Sequence, residues 1–151
     1  MTRTDLLEFL RGHRWAVQTS VSPSGAPQAA LVGVVVTDEL EVFFDTLDTT
    51  RKMQNLRNNC KIAFVIGGWN DRDERTVQYD GVADELSGSE LERLKNLYFL
   101  QFPDGPQRQS WPGLVYVRAR PTWIRYSDFT CSPPEIAVFD MDIAAGTDGP
   151  G

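Results

Sequence analysis

Short apolar runs bounded by turn residues lay most of this chain out as strands, and helical spacing interrupts them in three places. Leu40, Val42 and Phe44 alternate with Glu41, Phe43 and Asp45, the period-two pattern of a half-buried strand. Trp15–Val21 and residues 28–36 read as two further strands, separated by the turn signal Ser22-Pro23-Ser24-Gly25. Residues 61–66 and 76–86 follow as strands around a polar loop at 67–74, and Gly81 predicts a bulge or a close backbone approach. Residues 114–126 form a long strand that Pro121 bends or places at an edge. From Thr130 onward the pattern fades, and 147–151 reads as a loose tail.

The helical segments are short. Residues 4–11 carry Leu6, Leu7, Phe9 and Leu10 on one side. A second helix, capped by Thr49 or Thr50, sets Met53 and Leu56 inward. Residues 89–102 make a third, with Ser89 and Glu92 placed as a capping box and Leu91, Leu94, Leu97 and Tyr98 as its apolar stripe. Six strands with helices between them predict a mainly β, α+β domain: a small barrel with peripheral helices. The run from Ala29 to Val36 is apolar on both faces, which an antiparallel strand with one wet face is not. One face fills the barrel. The other needs a cover: a cofactor ring, a second subunit, both, or the chain's own helices.

Composition narrows the function. At 151 residues the chain is one domain, and 41% hydrophobic with 24% charged residues is the balance of a soluble globular protein. No apolar run approaches the roughly 20 residues of a membrane helix. Asp5 and Glu8 interrupt the start where a signal peptide would be apolar, so a cytoplasmic protein is expected. A net charge of −6 argues against general nucleic-acid binding. Cys60 and Cys131 lack metal-ligand spacing and read as reduced thiols, and no metal site is expected. His13, the only histidine, suits a helix C-terminus. Asp71, Asp73 and Glu74 are interleaved with Arg72 and Arg75, as in a solvated loop. No nucleophile elbow, Walker loop or dinucleotide fingerprint occurs. An enzyme built from this chain borrows its reactivity from a cofactor.

The place for that cofactor is the second helix start. Arg51 and Lys52 fall in its first turn, where the macrodipole disfavours cations. Free backbone N–H groups, threonine hydroxyls and two cations together make a phosphate cradle. Phe44-Asp45-Thr46, then Thr50-Arg51-Lys52, then Leu56 with Asn58 and Asn59, and later Thr76-Val77-Gln78-Tyr79-Asp80-Gly81-Val82-Ala83, form an ordered set. In order and spacing it resembles the FMN-binding split barrel of the pyridoxamine 5′-phosphate oxidase-like family. The resemblance covers Leu6 to Asp128.

That resemblance implies a six-stranded antiparallel split barrel over residues 1–129, with 130–151 as a partly flexible extension. It implies a homodimer with FMN at the subunit interface and a flavin-dependent oxidoreductase acting on a small molecule. The alternatives are a deazaflavin-dependent reductase, a non-catalytic flavin sensor or storage module and, least favoured because the lone His13 lies in the first helix, a haem-binding protein as in some relatives. Carried over, Arg51, Lys52 and the Thr50 hydroxyl hold the phosphate. Thr46 and the backbone of Asp45 contact the ribityl chain or ring edge, and the backbone of Leu31, Val32 and Gly33 lines the ring. Thr76 and Gln78 reach the neighbouring subunit's cofactor. Trp69, Trp111 and Trp123 are candidates for stacking on a ring or substrate. Cys60 stands where proline is usual, Ala30 where an arginine is frequent, and no histidine follows Trp123-Ile124-Arg125-Tyr126. Vitamin B6 oxidation is therefore not expected.

Overall fold

The computed structural model describes residues 1–141. Thr2 opens α1 (Arg3–Arg11) with a reciprocal capping box to Asp5, and Leu6, Phe9 and Leu10 are buried beneath it. The chain continues through β1 (Trp15–Val21), β2 (Pro27–Gly33), β3 (Val35–Val36), β4 (Val42–Leu47), α2 (Arg51–Asn58), β5 (Lys61–Gly67) and β6 (Arg75–Glu85). It then runs through α3 (Gly88–Gln101), α4 (Gly105–Arg108), β7 (Leu114–Asp128) and β8 (Glu135–Asp140).

The eight strands form one antiparallel sheet in the order β2-β1-β5-β6-β7-β4-β3, with β8 added to β7. β2 and β3 are successive parts of one stretch. Between them Val34 turns its N–H to the Arg14 carbonyl at 2.9 Å. The two ends of the ladder are thus held by the same piece of chain, which curls the sheet into a split barrel of six staves: β2–β3, β1, β5, β6, β7 and β4. The sequence pattern predicts neither the short α4 nor β8. β8 runs from Asp128↔Glu135 to Trp123↔Asp140 against β7, so part of the expected C-terminal extension belongs to the sheet. Residues 142–151, including the expected loose tail, lie outside the described residues.

Two local expectations are corrected. The fourth strand begins at Val42, not Leu40, because Leu40 takes a left-handed φ of 63° and closes a turn onto Thr37 at 2.9 Å. The third helix starts after Ser87 without a side-chain cap. The proposed box at Ser89 fails because Glu92 is turned to Lys95 at 3.2 Å. Pro121 keeps the local edge expected for it: it faces Gly81 of β6 at the slip in register, and on its other side it falls between the end of the β4 pairing at Ala119 and the start of the β8 pairing at Trp123. A methyl on Gly81 would lie 2.5 Å from the Arg120 carbonyl, so the bulge requires glycine.

The barrel core is built by Phe44, Phe64, Ile66, Val77, Tyr79 and Ile124 with α1 and α2. The Tyr79 hydroxyl lies 2.9 Å from the Leu40 carbonyl and 3.0 Å from that of Ala119, so its single proton is shared between or alternates over the two acceptors. A second cluster, Val35, Phe43, Leu94, Tyr98, Phe102 and Tyr116, seats α3 on the outside of β4 and β7. Arg118 pins that helix. Its side chain, 9% exposed, meets Asp84 at 2.9 Å, Glu90 at 3.0 Å and Glu41 at 3.6 Å.

Away from α3, the outer face of the sheet has no covering element among the described residues. One cross-strand row, Leu31–Val17–Val65–Gln78–Arg125–Val138, runs over it. Leu31 is 61% exposed, and Val65 and Val138 are exposed as well. Among the described residues no helix is long and apolar enough to cross a membrane.

Candidate functional site

The site is built where β4 hands over to α2. Thr50 is the N-cap of α2. Its hydroxyl accepts from the Met53 N–H (3.4 Å) and donates to the Leu47 carbonyl (2.8 Å). Met53 and Leu56 anchor the helix in the core, which fixes its N-terminus at the barrel's open end. Thr46, at the end of β4, places its hydroxyl 3.3 Å from that of Thr50 and accepts from the Lys52 ammonium at 3.3 Å.

Neither Arg51 nor Lys52 makes an ion pair among the described residues. Partial burial pushes the Lys52 ammonium below the ordinary lysine pKa, and no carboxylate offsets that cost. Two cations without an ionic partner among the described residues, beside the free N–H groups of a helix start, are an arrangement that favours an anion. They line a cleft of about 110 Å³ together with Thr50, Gln18, Ser20, Gln28 and Ala30. That volume is well below the roughly 300–1,000 Å³ of sites that enclose a drug-sized ligand. On one chain the cleft has room for the anionic end of such a ligand, not the whole.

The cleft's back wall is polar. Asn55 donates from its amide nitrogen to Ser20 Oγ (3.1 Å) and Gln28 Oε1 (2.8 Å). Gln18 is 1% exposed, and neither its Nε2 nor its Oε1 has a hydrogen-bond partner. The sequence reading missed Gln18, Ser20, Gln28 and Asn55. A signal for the first two was present: β1 alternates Trp15, Val17, Thr19 with Ala16, Gln18, Ser20, and the structure turns the second, more polar set inward.

The residues expected at the site fall into distinct places. Thr50, Arg51 and Lys52 line the cleft, and Thr46 bonds to Thr50 and Lys52. The Asp45 side chain points the other way, accepting from Arg108 Nε at 3.0 Å and the Tyr98 hydroxyl at 3.1 Å, so only its backbone faces the site side of β4. Val32 is buried in the core, whereas Leu31 faces outward. The ring packed over Gly33 is the protein's own Phe102: a Cβ on Gly33 would lie 2.6 Å from it. The missing side chain there makes room for α3. Thr76 and Gln78 lie on the outer face of β6, away from the cradle. Beside Gln78 in the same row is Arg125, whose buried Nε has no partner. Trp69 and Trp111 are exposed, and Trp123 is half-buried on the outer face.

His13 stands at the end of α1, its Nδ1 2.8 Å from the Phe9 carbonyl. It lines clefts that contain none of the cradle residues. Cys60 and Cys131 are free and exposed. Asp128, Cys131 and Glu135 bring their ligand atoms within 4.8 Å of one another, with Cys131 and Glu135 exposed.

A curled antiparallel barrel with peripheral helices and a cation-bearing helix start at its open end defines a split-barrel protein. The chain belongs to the pyridoxamine 5′-phosphate oxidase family, whose description matches residues 3–128. No curated protein matches the sequence. Among solved structures, a haem-binding protein from Mycobacterium smegmatis superposes with a TM-score of 0.79 at 12% identity, over 97% of this chain and 61% of that one. A pyridoxamine 5′-phosphate oxidase-related, FMN-binding protein from Nostoc punctiforme gives 0.71 at 12% identity, over 91% and 87%. A protein of unknown function from Agrobacterium tumefaciens gives 0.71 at 17% identity, over 83% and 57%. This chain therefore spans less than two-thirds of the first and third of these proteins. At such identities the likeness shows the fold.

Proposed function

We propose that this protein binds FMN in a site shared between two copies of the chain and uses it as a flavin-dependent oxidoreductase for a small-molecule substrate. The observation that carries the reading is the Arg51–Lys52 pair: two cations without an anionic partner, one of them half-desolvated, at a helix start that presents threonine hydroxyls. A phosphate monoester supplies the missing charge. Flavin carries the electrons of such a reaction, and the protein supplies position and electrostatics. The Nostoc punctiforme neighbour, named as FMN-binding, supports the choice of flavin. Neighbours named for haem direct attention to His13, yet its place at the end of α1, away from the cradle, favours the phosphate ligand.

The shared site follows from size and surface. The cradle's cleft cannot enclose a flavin, and the outer face presents Leu31, Gln78 and the unpartnered Arg125 in one row. A second copy would cover that row and bring Gln78 and Arg125 to its partner's ring. Apolar burial contributes roughly 25 cal/mol per Å² to such an interface before association costs. Sedimentation at micromolar concentration is expected to show a dimer, tightened by FMN because each ring touches both chains. A monomer with and without FMN removes the shared site.

The cradle is tested by comparing FMN with riboflavin, which has the same ring and no phosphate. FMN is expected to bind at least tenfold more tightly, since a charge-assisted hydrogen bond contributes about 1.5–3 kcal/mol. Equal affinities in a fluorescence titration would mean that the ring alone drives binding. A deazaflavin with the same phosphate competes for the same cradle, and the absorbance of the purified protein separates the two. Turnover with reduced nicotinamide and an electron acceptor separates an oxidoreductase from a flavin store.

A further inference from the structure

Gln18 is the one residue of the cleft whose presence neither the fold nor the phosphate cradle explains. It lies on the inward face of β1, paired through its backbone with Ala30 on β2 and Phe64 on β5, and is 1% exposed. Ser20, two residues on, accepts from Asn55, and Gln28 opposite accepts from the same amide. Gln18 alone in this group has both polar ends unpartnered. A buried carboxamide left this way destabilises the fold, and an apolar side chain of the same length would not.

The orphaned ends are of opposite kind. Nε2 donates and Oε1 accepts. A phosphate dianion has acceptors only, so it would serve Nε2 and leave Oε1 bare. A hydroxyl group both donates and accepts, and a chain carrying adjacent hydroxyls can serve both ends at once. Gln18 lines the same cleft as Thr50, Arg51 and Lys52, so the hydroxyls belong to the part of the ligand next to its phosphate.

We propose that Gln18 is a specificity-determining residue that reads hydroxyls of a phosphorylated polyol chain, the ribityl phosphate of FMN, beside the cradle. The assignment rests on the reading that the cleft takes FMN. It explains why β1 turns its more polar face inward at the barrel's open end. It also separates two tasks within one cleft: Arg51 and Lys52 recognise charge, and Gln18 recognises the hydroxylated chain behind it. A phosphate without that chain gains nothing from Gln18.

The test uses the full chain and the variants Gln18→Met and Gln18→Leu, both apolar and of similar volume. FMN affinity is measured by fluorescence titration, and ligand-free stability by thermal melting. The rise in melting temperature with inorganic phosphate, at ionic strength matched with chloride, reports the cradle. The expected result is an FMN affinity at least about tenfold weaker in both variants, the loss of roughly one well-placed hydrogen bond. Protection by inorganic phosphate should be unchanged, and the ligand-free melting temperature equal to or above that of the wild type. An FMN affinity within twofold of the wild type overturns the role of Gln18. So does a parallel loss of phosphate protection, which would mean that the substitution had deformed the cradle. A wild-type protein that does not take up FMN removes the underlying reading as well, and that outcome is distinct from wild-type binding unaffected by the variants.

Discussion

Replacing Arg51 and Lys52 together by alanine is expected to weaken FMN binding at least about a hundredfold, because two charge-assisted contacts of about 1.5–3 kcal/mol each are lost. The ligand-free protein should melt within a few degrees of the wild type. Neither side chain makes an ion pair among the described residues, and Arg51 is exposed. Lys52 loses one bond to Thr46 and is relieved of its partial burial. The helix itself is retained, since Thr50, Met53 and Leu56 hold it in place. Undiminished FMN affinity in the double variant would remove the cradle from the mechanism of binding. A melting temperature that fell with affinity would assign the two cations to the fold.

The largest loss of stability is expected from Arg118→Ala. The guanidinium joins β7 to Asp84 on β6, Glu90 on α3 and Glu41 before β4. Removing one partner of a buried ionic group costs about 3–5 kcal/mol, mostly because the remaining charge is stranded. Asp84 and Glu90 are each 42% exposed and regain water, so the lower end, about 3 kcal/mol, is expected here. For a chain of this length that lowers the melting temperature by roughly 6–12 °C. Glu41, 12% exposed, is the carboxylate left worst compensated, with only Arg120 at 4.0 Å and the Thr37 hydroxyl at 3.4 Å. Adding Glu41→Gln to the Arg118→Ala variant should therefore recover part of the loss. FMN affinity should be unaffected, because none of these residues lines the cleft.

Much of this architecture is legible before folding, because each feature has a local cause. Thr50 followed by Arg51 and Lys52 marks a helix start that asks for an anion, and the structure leaves both cations unpaired there. Gly81 marks a bulge, and the slip in register falls between Asp80 and Gly81. What was not legible depends on partners distant in sequence. β8 carries too weak an alternation to stand alone, and forms because β7 offers an edge. Asp45 resembles a site residue by position, yet Arg108 and Tyr98, more than fifty residues away, draw its carboxylate to the other face. Gly33 resembles a place for a ligand ring, and Phe102 fills it. In β1 an apolar set and a more polar set alternate, and the usual rule would bury the apolar one. The structure does the reverse, leaving Trp15 45% exposed and Gln18 1% exposed. That inversion puts apolar surface outside and a polar side chain inside, the arrangement that the proposed shared site calls for.

The seam between β4 and β7, running from Val42↔Ala119 to Leu47↔Leu114, also sets the order in which this protein can assemble. These strands are far apart in sequence, and joining them closes a long loop before their contacts can compensate for it. Topologies dominated by such pairings fold slowly, in roughly milliseconds to seconds. Thr46, Thr50, Arg51 and Lys52, by contrast, are neighbours along the chain and need only one turn of helix to meet. The corner proposed for the phosphate is thus a local structure that can exist early, whereas its back wall waits for β1 to join the sheet. On the proposed function, an anion present during refolding meets that corner first and the finished cleft last.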